Sequence, residues 1–186
     1  MDAQIRSRTS KQMMYVAIIS MIMMFAGLTS AYVISSKRED WISFELPQAL
    51  YISTLLIILS SITYLFAKKN IQKENRQQTT FFLIITLVLA LGFVFFQIEG
   101  FNQLRGAGLY FTGEGSVVSS SLLVVISFAH LIHVAAGIIV LLVVIFNHLK
   151  HKYKTEDTLG IELGGIFWHF VDILWIFLFL FFYFIT

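Results

Sequence analysis

Five apolar stretches, each longer than 20 residues, alternate along the chain with short clusters of charge. They run from about 12 to 35, 46 to 67, 79 to 101, 117 to 149 and 161 to 185. A membrane barrel would instead alternate apolar and polar residues along strands of roughly ten residues. At about 1.5 Å of rise per residue, each stretch crosses a hydrocarbon layer of roughly 30 Å as a helix. The pattern therefore predicts an all-α, polytopic membrane bundle of five transmembrane helices. Pro47, the only proline, falls at the start of the second stretch. A first-turn position suits it, because its missing N–H would have no partner there anyway. The first stretch is too long for a signal-peptide core and lacks a small-x-small cleavage site, so it reads as a permanent helix. With no repeat, low-complexity tract or long linker, residues 1–186 read as a single membrane domain.

Composition sharpens this picture by exclusion. The chain has 186 residues, 58% apolar and 13% charged, whereas soluble domains carry about 45–50% apolar and about 25% charged residues. A soluble enzyme of this size could not hide so much apolar surface, and a disordered chain would not contain it. The absence of cysteine excludes disulfides and thiolate chemistry. Charge placement then sets the orientation. Ten of the 13 Lys and Arg lie on one side, in the N-terminal tail (Arg6, Arg8, Lys11), after the second stretch (Lys68, Lys69, Lys73, Arg76) and after the fourth (Lys150, Lys152, Lys154). Cytoplasmic loops are enriched in Lys and Arg, which predicts the N-terminus inside and the C-terminus outside. The loop between the third and fourth helices, with Gly106, Gly108, Gly113 and Gly115, is expected to be irregular.

The ionisable residues inside the helices carry the chemical information, because a charge at the helix centre costs about 2.5–3.5 kcal/mol on insertion scales. His130 and His133 lie three residues apart in the fourth helix, about 60° apart around its axis. Gly137 shares their face and would admit a neighbouring helix closely. The pair reads either as metal or haem ligands or as hydrogen-bonded histidines stitching helices together. His169 and Asp172 repeat the spacing in the fifth helix, where Trp168, Asp172 and Trp175 form a stripe. Asp172 falls near the bilayer centre and needs a proton or a donor: His169, a Trp indole or a histidine of the fourth helix. A polar knot between the last two helices is the structural expectation. A proton relay and an Asp/His metal site are the functional alternatives. Glu99, near Gln97 at the outer end of the third helix, reads equally as an interfacial or a buried carboxylate. Glu162 opens the fifth helix, where a helix N-terminus favours an anion, and is expected to be solvated.

The sequence has no glycine-rich phosphate loop, no sensible Ser/His/Asp set and no cytoplasmic histidine array. Three readings remain: a cofactor-free subunit of a larger complex, a haem-binding membrane anchor with axial ligands from His130 or His133 and His169, and a small transporter. No stretch has the strongly broken character that a transporter's unwound helices require.

Two segments point to a family. GIELGGIFWHFVDILWIFLF, from Gly160 to Phe179, closely resembles the C-terminal signature of subunit III of haem-copper respiratory oxidases, with Glu162, Trp168, His169, Phe170, Val171, Asp172, Trp175, Phe177 and Leu178 in place. HLIHVAAG, from His130 to Gly137, resembles the family's HxxHVxxG element in the preceding helix. Their order, their spacing and the short basic loop between them also match. Five helices rather than seven resemble the shorter bacterial form, which occurs in cytochrome c and quinol oxidases alike.

The resemblance implies a non-catalytic subunit with no haem or copper of its own, located in a bacterial inner membrane. Its implied partners are subunit I, subunit II with it, and phospholipids. Membership of a larger respiratory supercomplex is compatible with it, and no nucleic acid is expected. It further implies support of sustained proton uptake, and it makes His130, His133, His169 and Asp172 an interhelical polar network rather than ligands. Glu99 becomes the candidate for the family's membrane-buried, carbodiimide-reactive glutamate, although Gly100 follows it where an aromatic residue is usual. At the inner face, His148 and His151 beside Glu156 and Asp157 form a candidate proton-collecting surface.

Overall fold

The computed structural model describes residues 3–111, 113, 116–150 and 159–185. Five helices account for most of them: α1 (Ala3–Ser35), α2 (Gln48–Gln72), α3 (Arg76–Gly106), α4 (Val118–Leu149) and α5 (Leu159–Ile185). The shortest has 25 residues, about 38 Å of helix at 1.5 Å per residue. All five are long and apolar enough to cross a membrane, so the chain is a multi-pass membrane protein. The described residues contain no strand, only an isolated bridge between Tyr110 and Ser116.

The helices outrun their apolar stretches where the flanking sequence still favours helix. α1 begins nine residues before the predicted span. α2 and α3 extend through Lys68–Gln72 and Arg76–Gln78, all sound helix formers apart from Asn70 and Ile71. The connection between them shrinks to three residues, with Glu74 at φ 60°. Asn75 caps α3 by accepting a hydrogen bond from the Gln78 N–H at 3.3 Å. Pro47 stands one residue outside α2, as its N-cap at φ −56° and ψ 140°, rather than inside the first turn.

α2 and α3 form a tight antiparallel hairpin. The Gln97 amide donates to Ser53 Oγ at 3.0 Å, the Thr63 and Thr86 hydroxyls meet at 2.8 Å, and the Ala49 N–H reaches Gln103 Oε1 at 3.3 Å. α5 is the most deeply packed helix, with contacts to α1, α2 and α4. α1 is peripheral: only 17% of its apolar stretch is buried, against 50% for α5, and it packs on α4 and α5 alone. At the ends, Ser119 donates to the Ile42 carbonyl at 2.8 Å, and Ser120 and Ser121 donate to the Tyr110 and Phe111 carbonyls. Ile42, Tyr110 and Phe111 are thereby tied to the start of α4, and in the described part of the glycine-rich segment Gly108 and Gly113 take positive φ. Between α1 and α2 the Arg38 guanidinium, 2.8 Å from Asp40, holds that exposed carboxyl below the usual carboxylate range by hydrogen bond and charge.

Candidate functional site

Three polar side chains of α5, Trp168, His169 and Trp175, find partners along one seam on α2. The Trp168 indole N–H donates to Ser60 Oγ at 2.9 Å, and the Trp175 indole donates to Thr54 Oγ1 at 3.0 Å. His169 Nδ1 lies 2.7 Å from Ser61 Oγ. Tyr64 donates to the Ile161 carbonyl at 2.9 Å. The rungs run downward on one helix as they run upward on the other, so α2 and α5 are antiparallel. In lipid, helices gain little hydrophobic drive from one another, and close packing and interhelical hydrogen bonds hold them together instead.

Close approach at the seam depends on two glycines. A Cβ on Gly164 would fall 2.7 Å from the Tyr64 hydroxyl and 3.1 Å from Val144, and one on Gly165 would fall 2.9 Å from the Tyr64 ring. On the far side, Gly137 of α4 lets Trp168 approach to 3.1 Å of where a Cβ would be. α5 is therefore clamped between Tyr64 of α2 and Gly137 and Val144 of α4.

The predicted four-residue knot of His130, His133, His169 and Asp172 separates into two environments. His130 is fully buried among the rings of Phe25, Phe93 and Trp175, its centroid 5.1 Å from that of Trp175. Neither of its nitrogens forms a hydrogen bond to a described residue. His133 turns back on its own helix, Nδ1 to the Ala129 carbonyl at 2.7 Å, and packs edge-on against Phe25. His169 faces Ser61 of α2, not the α4 histidines. The link between α4 and α5 is thus a ring contact, His130 on Trp175, rather than a hydrogen bond. Asp172 is 1% exposed. Neither of its carboxyl oxygens forms a hydrogen bond to a described residue. Among the described residues, no three His, Asp or Glu side chains converge as a metal site would need.

Glu99 is half-buried, whereas Gln97, two residues earlier, is the fully buried polar residue of that part of α3. His148 lies inside the bundle, 2% exposed, with Nε2 3.1 Å from Thr80 Oγ1 and 3.3 Å from the Arg76 carbonyl. An inward-facing ring cannot belong to a water-facing collecting surface: His148 bridges α4 to the start of α3. His151, Glu156 and Asp157 lie outside the described residues. Glu162 is not simply solvated, because it pairs with Lys11 of α1 at 2.9 Å.

Sequence reasoning missed the α2 hydroxyls. Thr54, Ser60, Ser61 and Tyr64 sit in an apolar stretch without charge, and Thr54 also satisfies itself on the Leu50 carbonyl. The usable signal was their spacing: Thr54, Ser61 and Lys68 recur every seven residues, which keeps them on one face of a helix.

Comparison with known proteins completes the description. The sequence model described as cytochrome c oxidase subunit III matches residues 5–186. A cytochrome c oxidase subunit 3 of Petromyzon marinus is 31% identical over 137 residues, covering 74% of this chain and 49% of the relative. Its counterpart in Drosophila melanogaster is 30% identical over 139 residues, covering 75% and 51%. That in Spodoptera frugiperda is 28% identical over 137 residues, covering 74% and 87%. Against the first two, the aligned part of the chain spans about half the length of the relative.

Proposed function

Because the chain belongs to the cytochrome c oxidase subunit III family, we propose that it is a non-catalytic, cofactor-free subunit of a proton-pumping haem-copper terminal oxidase in a bacterial inner membrane. In this reading it packs on the catalytic subunit I and, with it, subunit II, and those partners hold the haem and copper. The observation that carries the reading is the family match over residues 5–186, which includes the whole α5 signature.

The geometry supports a packing role. The signature residues Trp168, His169 and Trp175 are consumed in holding α5 to α2. The outer faces of the bundle present large apolar side chains, among them Phe81, Val88, Phe95, Ile132 and Ile139, to lipid or to neighbouring helices. Lys68, Lys69, Lys73, Arg76 and Lys150 gather at one end. We place that end in the cytoplasm, with the N-terminus inside and the C-terminus outside, where it attracts anionic phospholipid headgroups. Support of proton uptake belongs to the same proposal, with His151, Glu156 and Asp157 as the surface groups.

The test is affinity purification of the tagged chain from its native membrane in mild detergent. A large multi-span, haem-bearing polypeptide is expected to accompany it in equal amount, and no haem-bearing chain would sink the reading. Neutralising His151, Glu156 and Asp157 together should slow proton uptake by the assembled oxidase, and unchanged turnover would remove that part of the proposal.

A further inference from the structure

We propose that the core between α3 and α4 binds an ordered water molecule, held by Gln97 Oε1, Ser127 Oγ and a ring nitrogen of His130. The three side chains are 1%, 1% and 0% exposed. Gln97 Oε1, Ser127 Oγ and both nitrogens of His130 form no hydrogen bond to a described residue. Polar atoms that a folded chain buries without a protein partner are satisfied by internal water, which makes about three hydrogen bonds. The orientation of the amide is fixed from α2. Ser53 Oγ donates to the Leu50 carbonyl at 2.8 Å, so it can only accept from Gln97, whose Nε2 is 3.0 Å away. Oε1 is therefore the branch of the amide turned away from Ser53, as an acceptor.

Helix register brings the groups to one depth. α3 and α4 run antiparallel: His148 meets Arg76 and Thr80 near one end, and His130 meets Phe93 further along. Gln97 lies four residues past Phe93, and Ser127 lies three before His130. Both therefore stand about one turn, roughly 4.5–6 Å, beyond that ring contact. The side of α4 agrees as well. α4 packs on α1, α3 and α5. His133, three residues after His130, faces Phe25 of α1, and Gly137 and Val144 face α5. Ser127 is turned about 60° from His130 the opposite way, which is the side of α3. The rings around His130 cannot serve it instead. The Trp175 indole already donates to Thr54, and Phe25 and Phe93 offer no hydrogen-bonding atom. An amide oxygen, a hydroxyl and one imidazole bring no negative charge to offset a buried cation, whereas water both donates and accepts. The bound water ties α3 to α4 at mid-bundle, as His148 ties them at the end.

The test is X-ray hydroxyl-radical footprinting of the full chain in its native membrane. The pulse splits ordered water into radicals that oxidise the side chains touching it, however deeply they are buried. His130 and Phe93 are expected to be oxidised several-fold more than Phe182, which is equally buried, at 1% exposure, among the Tyr32 and Phe181 rings. In the double variant Gln97→Met, Ser127→Ala, which removes two of the three holding groups, oxidation of His130 and Phe93 should fall several-fold while Phe182 stays unlabelled. If Phe182 becomes labelled in the variant, the fold has been lost, and the wild-type comparison decides alone. Oxidation of His130 and Phe93 no greater than that of Phe182, or equal oxidation in wild type and folded variant, would overturn the assignment.

Discussion

Gly164 and Gly165 set how closely α5 approaches α2, and the Tyr64 hydroxyl is the group that fills the space. Gly164→Ala would put a methyl 2.7 Å from that hydroxyl. Tyr64 must then leave the Ile161 carbonyl, at a cost of about 1–3 kcal/mol for overpacking. Gly27→Ala in α1 is the matched control, since a Cβ there meets nothing within 4 Å. Denaturant unfolding in detergent should separate the two variants, and equal stability would show that the approach of Tyr64 matters little. The Trp168–Ser60 pair allows a finer measurement. A double-mutant cycle with Trp168→Phe and Ser60→Ala should give a coupling of about 0.6 kcal/mol, the average for hydrogen bonds between membrane helices, and at most about 1.7 kcal/mol. A coupling near zero would remove this rung from the account. At this scale the sequence disclosed one half of each contact. His130, His169, Asp172 and the tryptophans stand out in an apolar stretch because polar and indole groups there require partners. Their partners Thr54, Ser60 and Ser61 do not stand out, because a hydroxyl in a helix can satisfy itself on its own backbone.

α1 tests the account at the level of elements. It is held at three points: Lys11 to Glu162 at one end, Phe25 against His130 and His133 in the middle, and Tyr32 among Trp41, Phe181 and Phe182 at the other. The ion pair is a third exposed on each side. Such pairs are worth about 0–1 kcal/mol and weaken in salt, so Glu162→Gln should scarcely change stability. Phe25 is 1% exposed, and Phe25→Ala opens a cavity that lipid does not fill, costing about 2 kcal/mol or more. Limited proteolysis should release α1 readily in Phe25→Ala and little faster in Glu162→Gln, and the reverse order would assign the docking of α1 to charge. All five helices were legible from hydropathy because lipid demands about 20 apolar residues per crossing. Their ends were not, since α1, α2 and α3 run on into polar sequence that favours helix without being apolar. The three-residue turn between α2 and α3 therefore looked like a longer loop.

At the scale of the whole molecule, the chain is an apolar bundle in which the hydroxyls of α2 and the indoles of α5 are spent on its own packing. Orientation is open to direct measurement because the natural chain contains no cysteine. Single cysteines placed at Lys69 and at Gly106 should respond oppositely to a membrane-impermeant maleimide applied to intact cells. Gly106 is expected to label and Lys69 to be protected, and labelling of Lys69 alone would invert the topology. The family was legible from the α4 and α5 motifs because their residues recur at fixed spacing. The pairing of α5 with α2 was not, because hydropathy orders helices along the chain and says nothing of which neighbours they choose in the membrane. The most direct test is a metal and haem assay in two steps, first on the tagged chain purified with its partners and then on the chain after it is dissociated from them. The account predicts haem and copper in the first preparation and neither in the second. Stoichiometric haem or copper retained by the separated chain would contradict it.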